Sequence, residues 1–281
     1  MQRLATFALC SAAVMAVLSG SAIAQPIHNG PPTFMAMDRQ DGISRLGLQL
    51  GFGFFEEAPG VDVTGLGMQA YGHYMTPSGF GFYGILPFNY VKVEVNDNDE
   101  SESAIGGVEL GGIYVIPGPQ LDWVLHGGFV LPTASDEPDG AAANSIGTLM
   151  RINDIILAYP ELTALRLGVS PVLRQGQLVL RFDGAIDVPL AADGEEPDPL
   201  IRLNVGGGVD TGNFALLGEL VNVISTEDED GNDNDVINLF ALTGRFMAGA
   251  FEPGVSIGFP VDDELGDILD WYLAVSLQGA I

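Results

Sequence analysis

The stretch LVLRFDGAIDVPL, residues 178–190, sets Leu178, Leu180, Phe182, Ile186 and Val188 on one face of an extended chain, and Arg181, Asp183 and Asp187 on the other. Alternation with period two and one apolar face is the mark of a strand. The preceding run sets Leu165, Leu167 and Val169 against Arg166, Gly168 and Ser170, and LIRLNVGGGVD sets Ile201, Leu203 and Val205 against Arg202, Asn204 and Gly206. The last run sets Trp271, Leu273, Val275, Leu277 and Ile281 against Tyr272, Ala274, Ser276 and Gln278. Read this way along its length, the chain predicts twelve strands, near 43–55, 62–75, 79–95, 103–116, 120–132, 161–173, 176–190, 199–210, 213–225, 235–247, 254–261 and 268–281. Alternation alone fits a soluble sandwich as well as a membrane barrel.

Composition narrows the choice. The chain is 47% hydrophobic yet carries a formal charge of −27, and its mean hydropathy is positive. These facts agree in a protein that keeps an apolar surface and a charged surface apart. Arg3 followed by the apolar run Leu4–Leu18 and Ala22-Ile23-Ala24 reads as a secretory signal peptide over 1–24, cut before Gln25. The only cysteine, Cys10, lies in that segment, so disulfides and thiol chemistry are excluded from the remainder. Removing Arg3 leaves nine basic side chains against 37 acidic ones, which argues against nucleic acid or anionic lipid as a binding partner. Beyond the signal segment no continuous 18-residue apolar stretch exists, which excludes transmembrane helices. A closed barrel is the other structure that satisfies every backbone group in lipid.

The connections separate barrel from sandwich. With residues 25–42 as an N-terminal periplasmic segment and 43–281 as the barrel, the odd connections are outer loops and hold 26 acids. The even ones, MTPSG, IPGPQ, LRQG, DTGN and MAGAFEPG, hold only Asp210 and Glu252. Long outer loops, short inner turns and an even strand number are the habit of bacterial outer-membrane barrels. One outer loop, STEDEDGNDND at 225–235, has calcium-loop flavour. In the calcium register, however, its first ligand position is Thr226, followed by Asp228, Asp230 and Gly231, with no closing Glu. Five other loops share its acidity, so no dedicated metal site is expected. Asp228, Asp230, Asp233 and Asp235 are left as the weak candidates for loosely held Ca²⁺ or Mg²⁺ at the outer surface.

The signal peptide, the amphipathic strands, GFVLPTA at 128–134 and the closing PGVSIGFPVDDELGDILDWYLAVSLQGAI resemble bacterial outer-membrane β-barrel proteins of the porin-like type. More loosely they resemble the outer-membrane transporters associated with phenol degradation. The resemblance implies a cell outer-membrane location, contact with outer-membrane lipid and lipopolysaccharide, insertion by the outer-membrane assembly machinery, and a small solute as cargo with no cofactor. That machinery reads a last strand usually closed by an aromatic, whereas this chain ends in Ile281.

An enzyme of the same architecture, such as a twelve-stranded outer-membrane lipid hydrolase, needs a serine nucleophile beside a histidine base. The histidines are His28, His73 and His126, and neither YGHYM nor VLHGG offers a serine near its histidine, so no catalytic residue is expected. By alternation the inward set includes Arg45, Gln69, His73, Glu109, Asp122, His126, Arg166, Arg174, Arg181, Asp183, Asp187, Arg202, Glu219 and Arg245. Arg166, Arg181, Asp183, Asp187, Arg202 and Arg245 are the candidate selectivity residues. Two readings stay open: an Arg-containing narrow pore for small solutes, or a non-conducting structural barrel filled by salt bridges. Residues 133–161 exceed a plain hairpin loop. Asp139 or Asn144 is a candidate helix cap there, and Ile146, Leu149, Met150, Ile156 and Leu157 give one apolar side. An extended LMRINDIIL is the rival form. In either form this segment is expected to fold onto the barrel mouth or into the upper lumen, with Ile146, Leu149, Met150 and Ile156 forming a constriction.

Overall fold

Strand β1 (Arg45–Phe55) pairs with β2 (Val61–Met75) on one side and with the last strand, β13 (Leu269–Ala280), on the other, so the sheet closes on itself. The computed structural model describes residues 32–56, 61–96, 98–192, 197–226, 236–247 and 251–281. The predicted signal peptide, His28 and the acidic residues 227–235 fall outside these. Between β2 and β13 run β3 (Phe80–Val95), β4 (Asn98–Ile105), β5 (Val108–Ile116), β6 (Leu121–Leu131), β7 (Thr163–Gln175), β8 (Leu178–Ala191), β9 (Leu200–Asp210), β10 (Phe214–Ser225), β11 (Val236–Phe246) and β12 (Phe251–Pro260). Every ladder is antiparallel, and twelve of the strands form the wall, with β4 an addition at its rim.

The extra strand corrects the sequence reading, which took 103–116 as one element. Pro87 in β3 has no N–H to donate, and a proline inside a sheet interrupts the ladder. Its carbonyl instead accepts from Gly106, and Gly107 donates to Leu157 of a segment inside the barrel. On one side of the break Phe88 faces Ile105, and on the other Ile85 faces Glu109. The pairing has slipped by one residue, β4 stays on β3 alone, and β5 goes on to β6.

The alternation sorts the faces as the sequence predicts. Phe182 is 51% exposed while its neighbours Arg181 and Asp183 are each 3% exposed, on opposite faces of β8. Outside, Tyr74, Phe80, Tyr114, Trp123, Phe214 and Phe251 are exposed at the ends of their strands nearest the short turns. Phe52, Phe54, Phe129 and Phe259 stand toward the opposite end, where Phe54 stacks on Trp271 with ring centroids 3.8 Å apart. Aliphatic side chains such as Leu125, Leu167, Ile186 and Leu203 fill the belt between these two girdles. That is the dress of a barrel surrounded by lipid.

Two segments enter the interior. The 133–161 connection forms helix α1 (Pro138–Thr148), which runs into a 3-10 stretch (Leu149–Ala158) with non-helical backbone at Arg151 and Asp154. The extended alternative is not adopted. Pro138 starts the helix at the position where a missing N–H is harmless, and neither Asp139 nor Asn144 caps it; the cap residue is Glu137, without a side-chain bond. The helix seats against β2, β3 and β4. Gly67 permits this, because a Cβ there would collide with the Gly147 carbonyl. The other intruder is the N-terminal segment.

Candidate functional site

The segment expected in the periplasm lies, in its described part, inside the barrel: Thr33 to Asp41 are all buried. The physical reason is complementarity. Phe34, Met35 and Met37 are large apolar residues that an exposed tail would leave in water, and the wall offers charged groups that match the segment's backbone. Glu219 accepts from the amides of Met35 (3.1 Å), Ala36 (2.7 Å) and Met37 (3.0 Å). In the other direction Arg245 donates to the Thr33 carbonyl (2.9 Å), Arg181 to Gln40 (2.9 Å), and Arg151 to those of Met35 and Met37. Gly206 leaves the room that Phe34 and Met37 occupy, where a Cβ would strike both side chains.

The contacts also trace the path. Thr33 and Asp41 meet Arg245, Gln278, Arg45 and His73, which sit on strand ends at the mouth with the short turns. Asp38, between them, meets Arg202 near the opposite mouth and Asn153 of the 3-10 stretch. The segment therefore enters as a loop from the turn mouth, and its tip touches the segment that descends from the loop mouth. Cavities of about 30 and 10 Å³ lie beside these segments, room for a water or two.

All six predicted selectivity residues are buried inside the barrel; Arg166, Arg181 and Arg202 form ion pairs, while Arg245 donates to the carbonyls of Thr33 and Glu252. Arg166 binds Glu109 (2.6 Å), Asp154 (3.1 Å) and Asp187 (3.1 Å). Arg181 binds Asp183 (2.7 Å), and Arg202 binds Asp187 and Asp38 at 3.0 Å each. Arg45 joins Asp41 (3.0 Å) to Glu252 (2.7 Å). Seven arginines and eight carboxylates are buried among the described residues; the wall alone contributes Arg45, Arg166, Arg181, Arg202 and Arg245 against Glu109, Asp183, Asp187, Glu219 and Glu252. The wall is thus balanced, not a cationic eyelet. Burial of ions requires such pairing, since an unpaired charge in this setting costs several kcal/mol. Arg174, expected inward, forms a mouth pair with Asp122 at 2.5 Å.

Of the predicted constriction residues, Met150 and Ile156 are buried, while Ile146 and Leu149 are half-buried. Sequence reasoning missed their polar neighbours: Arg151, Asn153 and Asp154 are what meets the N-terminal segment and the wall. It missed the N-terminal segment as well. The usable signal was a tail with three large apolar residues and a charged Asp38-Arg39-Gln40-Asp41 run. Neither His73 nor His126 has a serine among its described partners; their near neighbours are Asp41 and Asp38, each at 3.2 Å. The weak metal candidates Asp228, Asp230, Asp233 and Asp235 lie outside the described residues.

No protein-family model and no curated protein matches the sequence. Among solved structures, an outer-membrane channel from Pseudomonas putida F1 superposes with a TM-score of 0.59, at 13% identity, over 86% of this chain and 97% of that one. The KdgM porin, solved in complex with oligogalacturonate, gives 0.51 at 8% identity over 84% and 99%. The NanC porin gives 0.51 at 8% over 84% and 100%. The chain has the outer-membrane β-barrel fold. Its two girdles of aromatic residues and the apolar belt between them fit that setting.

Proposed function

We propose that this barrel is a narrow outer-membrane channel for small polar solutes, held closed by its own N-terminal segment. The observation that carries the reading is how that segment is attached. Among the described residues, Thr33 to Asp41 make no main-chain hydrogen bond to any strand; wall and 3-10 side chains hold them. The segment is therefore separable from the barrel without breaking a single ladder, and the wall it leaves behind is charge-balanced on its own. The 3-10 stretch narrows the remaining passage, with lipid and lipopolysaccharide around the outside.

A second reading has its own support. The dense ion-pair network of the interior, with Arg166 on three carboxylates and Arg202 on two, suits a barrel that never opens and serves as a structural or surface element. Flux into liposomes separates the two. A variant lacking residues 32–41 is expected to admit small solutes, graded by size, while the full chain admits them more slowly. A folded, inserted variant that admits none supports the structural reading and rejects the channel.

A further inference from the structure

The two acids of the N-terminal segment are held alike. The Asp38 carboxylate receives Nη1 of Arg202 at 3.0 and 3.3 Å and Nδ2 of Asn153 at 2.9 Å, with His126 Nε2 3.2 Å away. The Asp41 carboxylate receives Nε of Arg45 at 3.0 Å and the Ile43 amide at 2.8 Å, with His73 Nε2 3.2 Å away. Each therefore lies between an arginine and a histidine of the wall, fully buried.

Neither arginine needs these acids as its counter-ion. Arg202 already holds Asp187 at 3.0 Å, and Arg45 holds Glu252 at 2.7 Å. Asp38 and Asp41 are thus carboxylates seated in a wall that is neutral without them. The upper position also has capacity that Asp38 does not use. Nε of Arg202 and Nδ1 of His126 are buried with no hydrogen-bond partner, and Nε2 of His126 approaches Asp38 without hydrogen-bond alignment. A planar guanidinium beside an imidazole and an amide is a carboxylate-recognising set.

We infer that these two arginine–histidine positions are carboxylate subsites of the solute path, and that Asp38 and Asp41 are built-in surrogates for the acid groups of the solute. The solute class is a small molecule bearing one or more carboxylates. Entry of its first acid group at either position weakens the hold on the segment, so binding of solute and release of the segment favour each other. This rests on the channel reading above, because the subsites become available only when the segment leaves.

The test uses the full chain carrying Asp38→Asn and Asp41→Asn, substitutions that keep shape and remove charge, in detergent micelles. The probes are succinate and, as its uncharged counterpart, succinamide. Competition from a resident ligand lowers apparent affinity by the fraction of open protein, so the double variant is expected to bind succinate about tenfold or more tightly than the unsubstituted chain. Succinamide is expected to bind neither. Equal succinate affinity in the two proteins, or equal binding of succinamide, overturns the inference. If the double variant does not fold, each single substitution is measured in the same way, with a smaller gain expected at each and no gain at either overturning the inference. Flux through the same proteins in liposomes keeps the claims apart. Flux with no succinate binding removes the subsites and leaves the channel; succinate binding with no flux keeps the subsites and removes the channel.

Discussion

Glu219 holds residues 35–37 of the N-terminal segment with both oxygens: Oε1 accepts from Met35 and, at 2.5 Å, from the Thr243 hydroxyl, while Oε2 accepts from Ala36 and Met37. Glu219→Gln keeps the volume but has only one accepting oxygen. Whichever way the amide turns, at least one backbone N–H faces an NH₂ group, and the remaining bonds lose their charge. Hydrogen bonds to a charged group contribute about 1.5–3 kcal/mol each against about 0.5–1.5 for neutral ones. Losing one and weakening the others costs about 3 kcal/mol, or about a hundredfold in the closed-to-released equilibrium. Amide hydrogen exchange in refolded protein reads this directly. The amides of Met35, Ala36 and Met37 are expected to exchange about a hundredfold faster, with β9 to β11 unchanged. Unchanged protection at 35–37 refutes the assigned role of Glu219. Loss of protection throughout the barrel refutes the segment as a separable unit.

Arg166→Met leaves Glu109 buried without a cation, while Asp154 and Asp187 keep Arg151 and Arg202; a loss of about 3–5 kcal/mol is expected, seen as a lower urea midpoint for the folded barrel. Gly67→Val drives a side chain into the Gly147 carbonyl, so α1 is expected to become protease-sensitive while the barrel stays heat-resistant, and continued protection contradicts the close approach. Deleting Ala141–Leu157 alone is expected to change conductance little, because the N-terminal segment still fills the lumen; combined with removal of residues 32–41 it should raise conductance several-fold over that removal alone. The only tryptophans, Trp123 and Trp271, sit on strand ends in the two girdles, so lipids brominated near the headgroup are expected to quench them more than lipids brominated near the chain end.

The wall was legible because its code is local. On β8, alternation alone puts Arg181, Asp183 and Asp187 inside and Phe182 and Ile186 outside, and long acidic loops against short bland turns separate a barrel from a sandwich. Where a local rule was overridden, a single residue tells why: Pro87 split one predicted strand into β4 and β5 by denying the ladder a donor. The interior was less legible. That Arg202 would meet Asp38, 164 positions away, follows from no periodicity. The pairing of Arg245 with the Thr33 carbonyl involves a backbone group that every residue carries, so nothing in the sequence marks it. The apolar residues of the N-terminal segment are visible in the sequence, but a tail with no strand pattern carries no signal that it folds back into the lumen.

The central claim is that the N-terminal segment closes an otherwise open path. Single-channel recording in planar bilayers, comparing the full chain with the variant lacking residues 32–41, addresses it most directly. The account predicts a closed baseline with rare openings for the full chain and sustained conductance for the variant, with Glu219→Gln between them. A folded, inserted variant as silent as the full chain would contradict it.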